Sequence, residues 1–469
     1  MNKTKSTAMF RYIIISVIAV LCASCSADKS NHSFSGFWEG PHPEDPNKKF
    51  YVQLIDADST LAKGYWTDKG FYDSGFEIDT LQISGHSIRF FVPNWNCTYM
   101  GERTGNTICG GFVCEGEPFD SVVLVKNDGV ARFLTDALPG CHHADYKYQC
   151  QTPKQLDDFL QTSHFGTEGD SLFIYSLLPE IINGYYGRIN SFLLIRNNEL
   201  ICEEYFYGYG PNTLHQAESA TKSITSLLIG IAVDKGFITD VNEPVTAILE
   251  VPDFDKRITL KHLLTMTSGL IPNDEQLYLS NDRISTIFSR KLNSEPGTKF
   301  QYDGGNTELL GAIIKKKTGM FADVFAKKYL FEPLHITHYS WEIGKQNGYP
   351  CMAGSLEITP RELAKIGLLV LNNGKFNGRQ IVSEEWIKES TSFKTHTHIP
   401  GDDYAYQWWN LTLKTAGEEY PCIWANGFGS QFIYIFPTLD AIIVTTGHNY
   451  EFDSWAITSG IEKYLFLLE

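Results

Sequence analysis

Ser219-Ala220-Thr221-Lys222 joins a segment of strand character, residues 192–207, to a strongly apolar helix. After this stretch, apolar residues recur with the i, i+3, i+4, i+7 spacing of a helix with a wide buried face, at Ile224, Leu227, Leu228 and Ile231. Gly236 suits the left-handed position that ends many helices. The pattern therefore predicts Ser219 at a helix N-terminus, with Lys222 one turn further along on the same face.

A serine with a lysine three residues later has two interpretations. In one, Ser219 is a nucleophile and a desolvated Lys222 takes its proton. Free backbone N–H groups at the helix start would then favour developing negative charge. In the other, Ser219 only caps the helix. The four residues alone favour the cap, so the catalytic interpretation depends on further motifs in the chain.

Composition limits the classes of protein to consider. The chain has 469 residues, of which 43% are hydrophobic, and this length is typical of two or three domains. The formal net charge of −16 argues against nucleic acid as a partner.

The first 24 residues have the pattern of a signal peptide of the lipoprotein type. Positive residues precede an apolar run, 12–21, that is too short to span a bilayer. The stretch 21–25 resembles a bacterial lipobox, which predicts a lipid on Cys25, with ordinary signal cleavage nearby as the alternative. We therefore expect an exported protein of the bacterial cell envelope, facing the periplasm or cell surface, with membrane contact only through this anchor.

Residues 25–150 are expected to form a small all-β module, a meander or barrel. Strand candidates lie at 50–55, 87–92 and 121–125, separated by turns rich in Gly, Asp and Asn. Five of the cysteines beyond Cys25 precede Gln151, so disulfides in an exported chain are expected mainly here. No catalytic constellation is visible in this part.

The remainder is predicted to be a linker with one short helix, 151–184, followed by an α+β domain, 185–469. A hairpin is expected over 192–207 and another over 431–446. Helices are predicted between these hairpins, at 259–269, 281–291, 307–317 and 360–373, and a last helix at 452–468.

Further motifs in the second half occur in a recognisable order. They are the Ser219 to Ser223 stretch, residues 258–270, Pro296-Gly297-Thr298-Lys299-Phe300-Gln301-Tyr302, Ala353-Gly354-Ser355-Leu356, and Ala425-Asn426-Gly427-Phe428-Gly429-Ser430-Gln431. From Tyr185 to Glu469 the chain resembles the serine β-lactamase-like superfamily. The similar branch contains class C β-lactamases, D-alanyl-D-alanine carboxypeptidases, family VIII carboxylesterases and 6-aminohexanoate-dimer hydrolases.

The resemblance implies a fold and a set of roles. The fold would be an antiparallel sheet flanked by helices, with a helical insertion between early and late strands. Ser219 would form an acyl-enzyme, with Lys222 and Tyr302 as the groups that deprotonate it. The backbone N–H groups of Ser219 and Phe428 would form the oxyanion hole. Asn426 and Gly427 would contact the substrate.

Two positions depart from the family pattern. The slot two residues after Tyr302 is commonly Asn but is Gly304 here, and Asn306 follows. We interpret Asn306 mainly as the N-cap of the predicted 307–317 helix, with substrate contact as the alternative. Ala425 stands where penicillin-recognising members carry a cation, so a substrate carboxylate would lose its most direct partner.

Other candidate sites are weaker. The pairs His335/His338 and His396/His398 lack nearby acidic or cysteine partners, so we expect neither a metal nor a cofactor. His215 lies close to Ser219 in sequence and is expected to be structural.

The sequence thus favours an exported serine hydrolase acting on a small ester, amide or peptide. The alternatives are a β-lactamase or D-alanyl-D-alanine carboxypeptidase, and a non-catalytic ligand-binding or sensor relative. The oligomeric state stays open.

Overall fold

The computed structural model describes residues 34–41, 49–54, 62–68, 71–72, 76–93, 96–114, 117–127, 150–182, 184–206, 209–344, 347–398, 402–450 and 453–469. The predicted signal peptide and Cys25 lie outside these residues. Residues 34–127 belong to one compact unit, and residues 150–181 and 185–469 belong to a second. Within the described ranges, no helix has the length and apolarity needed to cross a bilayer.

The first unit is an all-antiparallel sheet. Its strands are β1 (Gly36–Pro41), β2 (Lys49–Leu54), β3 (Ala62–Asp68), β4 (Phe71–Tyr72), β5 (Phe76–Ser84), β6 (Ser87–Val92), β7 (Cys97–Thr104), β8 (Thr107–Cys114) and β9 (Glu117–Lys126). Their order is β2-β1-β9-β8-β7-β6-β5-β3-β4, and β2 also pairs with β3, so the sheet closes on itself. The three strand candidates of this region are confirmed.

Aromatic side chains fill the inside of this closed sheet. Trp38, Phe50 and Tyr99 are fully buried, and such rings supply much of the apolar area that a small module can bury. A disulfide joins Cys97 to Cys114, which lie opposite each other on β7 and β8. The expectation of a disulfide in the front part of the chain is confirmed.

The second unit is built on another sheet of nine strands. Its strands, with those of two smaller sheets, are β10 (Gln161–Thr162), β11 (Ile189–Arg196), β12 (Glu199–Tyr205), β13 (His215–Gln216), β14 (Tyr339–Trp341), β15 (Leu356–Ile358), β16 (Lys375–Phe376), β17 (Arg379–Gln380), β18 (Thr395–His396), β19 (Asp402–Tyr404), β20 (Trp409–Thr415), β21 (Glu418–Gly427), β22 (Gln431–Phe436) and β23 (Ala441–Gly447). The large sheet has the order β10-β12-β11-β23-β22-β21-β20-β19-β18, antiparallel except for the β10–β12 pair.

Helices flank this sheet, and most of them lie in the chain between β12 and β18, with α1 before β11 and α11 after β23. They are α1 (Glu168–Ile182), α2 (Ala220–Asp234), α3 (Val245–Leu249), α4 (Leu260–Leu264), α5 (Asp274–Leu279), α6 (Arg283–Phe288), α7 (Gly304–Thr318), α8 (Ala322–Ala326), α9 (Pro360–Leu371), α10 (Glu384–Thr391) and α11 (Ala456–Tyr464). The predicted α+β architecture, with early strands, a helical middle and late strands, is confirmed.

Both predicted hairpins of the large sheet are present. Asn197 and Asn198 connect β11 to β12, and both have positive φ, 50° and 67°. This is the backbone of a type I′ turn, which asparagine tolerates because its short polar side chain fits the left-handed region. A turn around Pro437–Leu439 connects β22 to β23.

Helix α2 is the centre of the second unit. Every residue from Ala220 to Ala232 is buried, which extends the predicted wide apolar face to the whole circumference. Gly230 has no room for a side chain, because an added Cβ would lie 2.2 Å from the Trp386 ring. The indole Nε1 of Trp386 donates to the Ser226 carbonyl at 3.1 Å. The helix end at Gly236, with φ of 71°, is as predicted.

The segment 151–184 is not a linker, contrary to our prediction. It carries the fifteen-residue helix α1 and the strand β10. Ion pairs also hold it to the second unit. Asp170 pairs with buried Arg196 of β11 at 2.9 Å, and Asp158 pairs with Arg361 of α9 at 2.6 Å. Both arginines are nearly inaccessible, and Asp170 is buried with its partner, whereas Asp158 is 21% exposed.

Four predicted helices have other bounds. The 259–269 helix has the expected N-cap, Thr259, but already ends at Leu264. Of the predicted 281–291 helix only α6, Arg283–Phe288, is helical, and the short helix α5 precedes it. The 307–317 helix begins three residues earlier, at Gly304, and ends as predicted at Gly319, which has φ of 76°. The C-terminal helix begins at Ala456 and passes into a 3₁₀ turn, Leu465–Leu468.

Candidate active site

Ser219 lies at the N-terminal boundary of α2, as predicted. Its side chain makes no capping hydrogen bond to the helix. The hydroxyl therefore does not stabilise the helix as an N-cap. The preceding residue, Glu218, has a positive φ of 49°. A non-glycine residue in this region costs energy and is often found where a side chain must be presented in a fixed direction.

Lys222 is buried, with 3% of its surface exposed, and its ammonium has two oxygen partners. Nζ donates to Ser219 Oγ at 2.9 Å and to the Ala353 carbonyl at 2.5 Å. No carboxylate of the described residues lies within 4.0 Å of Nζ in an ion pair with it. The contact with Ser219 Oγ places the amine nitrogen within hydrogen-bond reach of the hydroxyl.

Tyr302 lies close to Lys222. The ammonium nitrogen is 5.0 Å from the centre of the Tyr302 ring. The ring packs against Trp409, with centroids 5.6 Å apart, and against fully buried Tyr404 at 6.3 Å. The structure therefore brings Ser219, Lys222 and Tyr302 together, although they come from two separate parts of the chain.

The loop that carries Tyr302 is fixed by Asp303, a residue that the sequence analysis did not single out. Asp303 is the N-cap of α7 and accepts from the Gly305 N–H at 3.0 Å. It also forms an ion pair with Arg290 at 2.8 Å, and both side chains are nearly inaccessible. The Gly304 N–H donates to Asp274 at 3.0 Å. These bonds start the helix directly after Tyr302.

The interpretation of Asn306 as an N-cap is wrong. Because Asp303 caps the helix, Asn306 lies inside its first turn and is 1% exposed. Its Nδ2 donates to the Met266 sulfur at 3.5 Å, and its Oδ1 is buried without a hydrogen-bond partner. Substrate contact by Asn306 stays a prediction.

Gln407 is a second residue that the sequence did not indicate. Its carbonyl accepts from Ser223 of α2, and its side-chain oxygen accepts from Thr307 of α7, each at 2.7 Å. Its Nε2 donates to the carbonyls of Leu263 and Leu264 of α4 at 3.0 and 3.1 Å. Gln407 thus connects α4 with α2, which carries Lys222, and with α7, which follows Tyr302.

The end of β21 forms a further wall of the site. Asn426 Oδ1 accepts from the indole Nε1 of Trp455 at 3.4 Å, which leaves its amide N–H groups available to another acceptor. The Phe428 ring is half exposed and packs on Tyr450 at 5.3 Å. Ala425 is buried and supplies no charge at the slot where a cation is common in penicillin-recognising relatives.

Two backbone donors of the site have no protein acceptor. Within the described residues, neither the Ser219 N–H nor the Phe428 N–H donates a hydrogen bond. Buried or partly buried N–H groups are normally paired. Unpaired backbone N–H groups are the donors that an oxyanion hole uses.

Gly427 allows β21 to approach the segment before Ser219. A Cβ at this position would lie 2.4 Å from the Ala217 carbonyl oxygen. We expect Gly427→Ala to separate these segments and to lower the free energy of unfolding by roughly 1–3 kcal/mol, the usual cost of overpacking. Thermal denaturation measures the loss, and Gly210→Ala is the control because an added Cβ there has no atom within 4 Å. Equal melting temperatures for the two variants would contradict the prediction.

Acidic groups surround the lysine at longer range. Burial raises the pKa of Glu218, an effect partly offset by a hydrogen bond from Tyr450 at 3.4 Å and by the charge of Lys222. Burial also raises the pKa of Glu308, a fully buried residue of α7. A hydrogen bond from the Ala353 N–H lowers this pKa and so offsets part of the effect.

His215 is structural, as expected. It lies in β13 and is buried, with its ring stacked on Tyr209. Burial, together with the charge of His448, lowers the pKa of His215 to about 3. The folded protein therefore keeps this imidazole neutral at pH values where an unfolded chain protonates it.

This pKa predicts a pH effect on stability. Between the unfolded pKa near 6.5 and the folded pKa of about 3, the unfolded chain binds the extra proton, so falling pH favours unfolding by up to about 1.4 kcal/mol per pH unit. Urea denaturation at several pH values in this window should show a steeper loss for the parent protein than for His215→Gln. Parallel pH profiles would contradict the prediction, and taking the difference between the two proteins removes the contributions of other groups.

The described residues contain no cluster of three or more histidine, cysteine or acidic side chains with metal-binding geometry. Of the histidines considered above, His396 contacts Asp403 at 2.9 Å, and His335 stacks on Phe159. The expectation that these histidines lack acidic partners is therefore wrong for His396, and also for His338, which lies 3.8 Å from Glu362.

The chain is similar to several known proteins. The 6-aminohexanoate-dimer hydrolase of Paenarthrobacter ureafaciens is 25% identical over 287 residues, which cover 54% of this chain and 71% of that protein. Protein flp of Staphylococcus aureus is 29% identical over 182 residues, 34% of this chain and only 35% of flp. Among solved structures, EstCE1, a hydrolase with promiscuous acyltransferase activity, superposes with a TM-score of 0.53 at 13% identity. That superposition covers 64% of this chain and 99% of EstCE1 and concerns the fold alone.

The sequence profile of the Beta-lactamase family matches residues 190–450, which contain Ser219, Lys222, Tyr302 and Phe428. This match spans more than half of the chain and agrees with the antiparallel sheet, the helical insertion and the order of motifs. The chain therefore belongs to the Beta-lactamase family and has its serine hydrolase fold.

Proposed function

We propose that this protein is an exported serine hydrolase that cleaves an ester or amide through an acyl-enzyme on Ser219. The observation that carries the proposal is the 2.9 Å contact between Lys222 Nζ and Ser219 Oγ at a buried helix start. A nucleophile and its proton acceptor within hydrogen-bond reach are the basic requirement of this chemistry.

The proposed reaction has two stages, formation of the acyl-enzyme and its hydrolysis. Lys222 and Tyr302 together take the Ser219 proton while Oγ attacks the substrate carbonyl carbon. The carbonyl oxygen becomes an oxyanion, which the free N–H groups of Ser219 and Phe428 stabilise. The intermediate collapses, the leaving group departs with the proton, and the acyl group stays on Oγ. A water molecule, deprotonated by the same pair, then releases the acid and restores the serine hydroxyl.

The walls of the site bear on the choice of substrate. Ala425 occupies the position where a cation would bind a substrate carboxylate. Because alanine is uncharged, a substrate with an obligatory negative charge at this point is disfavoured. The half-exposed rings of Phe428 and Trp455 offer apolar area, and Asn426 offers amide N–H groups. We therefore favour neutral esters or amides over β-lactams and D-alanyl peptides. The similarity to a 6-aminohexanoate-dimer hydrolase reported above is consistent with this choice.

A panel of reagents separates the possible functions. Purified protein is offered p-nitrophenyl butyrate, a chromogenic cephalosporin and a fluorophosphonate probe, and peptide mass spectrometry locates any covalent label. Ester turnover with the label on Ser219 supports the proposal. Faster turnover of the cephalosporin would favour a β-lactamase or peptidase, and no turnover with no label would leave a ligand-binding or sensor protein.

The proposed export and lipid anchor rest on residues 1–25 of the sequence alone. We expect the protein to fractionate with membranes when it is expressed from its full sequence in a bacterium. Cys25→Ala should move it to the soluble fraction, whereas Cys22→Ala, which alters the neighbouring cysteine, should leave it with the membranes. Membrane association that survives Cys25→Ala would contradict lipidation at this residue.

A further inference from the structure

The position of Lys222 depends on the backbone of Ala353. Of the two oxygens that the ammonium contacts, the Ala353 carbonyl is the closer, at 2.5 Å. The serine hydroxyl is the reacting group, so only the carbonyl is a fixed reference for the amine. Ala353 lies in the irregular segment between β14 and β15 and is 1% exposed.

The same residue is held from its other side by Glu308. The Ala353 N–H donates to Glu308 Oε1 at 3.1 Å, and the Cys351 thiol donates to the same oxygen at 3.5 Å. Glu308 is 2% exposed and belongs to α7, the helix that begins directly after Tyr302. One carboxylate thus connects the Tyr302 helix to the peptide that orients Lys222.

A buried carboxylate at this place is expensive and needs an explanation. Burial raises the pKa of Glu308, while the Ala353 N–H and the charges of Arg283 and Lys222 act in the opposite direction. Arg283 and Glu308 line the same polar cavity of about 200 Å³. An apolar residue would fill the same volume at lower cost, and the Ala353 segment would then lose its acceptor.

We propose that Glu308 is a positioning residue for the hydrolytic reaction, which fixes Lys222 against Ser219 by holding the Ala353 peptide in place. The inference rests on the proposed function, because it assigns Glu308 a role in placing that function's proton acceptor. Glu308 touches neither Ser219 nor Lys222 directly. Its effect passes through the N–H and the C=O of one residue.

Three substitutions at Glu308 distinguish positioning from mere support. Glu308→Met removes the acceptor at similar volume and should lower kcat by about 10- to 100-fold, the size expected when a catalytic group is misplaced by about 1 Å. The side chain in Glu308→Asp is one methylene shorter, so its carboxylate lies further from the Ala353 N–H. This variant should lower kcat about tenfold, because Lys222 is then also misplaced. Glu308→Gln can still offer an oxygen to the Ala353 N–H and should stay within about threefold of the parent kcat. KM for p-nitrophenyl butyrate should change little in all three.

Glu362 provides the matched control. It is a buried glutamate of α9 whose Oε1 also accepts from backbone N–H groups, those of Thr337 and His338, but it lies in a segment without a candidate catalytic residue. Glu362→Met should lower thermal stability without lowering the kcat of the folded fraction.

The outcomes are distinct. Parent kcat in Glu308→Asp would overturn the inference, and so would an equal kcat loss in Glu308→Gln and Glu308→Met. The first result is available even when Glu308→Met does not fold, because Asp is the conservative change. Failure of the proposed function itself appears separately, as equal turnover by the parent protein and Ser219→Ala in the same assay.

Discussion

Ser219→Ala is expected to abolish ester turnover, with a fall in kcat of at least about 10³-fold, because no other group can form the acyl-enzyme bond. The loss should appear in kcat and kcat/KM together, since the hydroxyl reacts and contributes little to binding. The variant should fold normally. The Ser219 side chain makes no capping bond, so the helix loses no capping partner when the hydroxyl is removed.

Ser226→Ala is the matched control for this experiment. Ser226 is on the same helix two turns further on, and its hydroxyl is buried without a hydrogen-bond partner. Its removal should leave turnover at the parent level. Residual turnover by Ser219→Ala above a few per cent of the parent value, after contaminating esterases are excluded, would show that another nucleophile performs the reaction.

Lys222→Met is expected to have the second-largest effect, a fall in kcat of about 10²- to 10⁴-fold, the range found when a general base is removed. Its effect on stability should be unusual for a buried ion. No carboxylate of the described residues forms a direct ion pair with Lys222, although the buried carboxylates of Glu218 and Glu308 lose a longer-range positive charge. The free energy of unfolding should therefore change much less than in a variant that breaks a direct buried ion pair.

Lys365→Met should show the reverse pattern. Lys365 is also fully buried, but it forms an ion pair with buried Glu362 at 2.6 Å. Removing one member of such a pair typically costs about 3–5 kcal/mol, because the other charge is left alone in the interior. Urea denaturation and ester kinetics on both lysine variants test this contrast. A Lys222→Met protein with parent activity would contradict the assignment of the base.

The nucleophile helix and the sheet could be predicted from the sequence because their signals are local. The apolar period from Ile224 to Ile231, the Asn197-Asn198 turn and the Gly319 end each follow from residues that lie close together in the chain. The site required the resemblance in addition, because Tyr302 comes 80 residues after Lys222 and nothing in the sequence alone brings the two together.

The errors have identifiable physical causes. Asn306 and Asp303 are both good capping residues, and only the ion pair with Arg290 and the hydrogen bond to Gly305 decide between them. We predicted only a short helix in this segment, but α1 has fifteen residues. It contains Pro179, and a proline inside a helix usually ends or kinks it. The role of Glu308 could not be predicted from the sequence, because its partner Ala353 is 45 residues away. A glutamate in a helix is also ordinarily a surface residue.

The hydrogen bonds of Gln407 have a consequence for how this domain tolerates change. Its backbone carbonyl is hydrogen-bonded to α2, and its side-chain carboxamide is hydrogen-bonded to α4 and α7. The positions of these three helices therefore depend on one residue. A substitution that shifts one of these helices moves Gln407 and so strains its hydrogen bonds to the other two. Homologous replacement of a single helix should therefore fail, whereas exchanging all three helices together with Gln407 should preserve the geometry around Ser219.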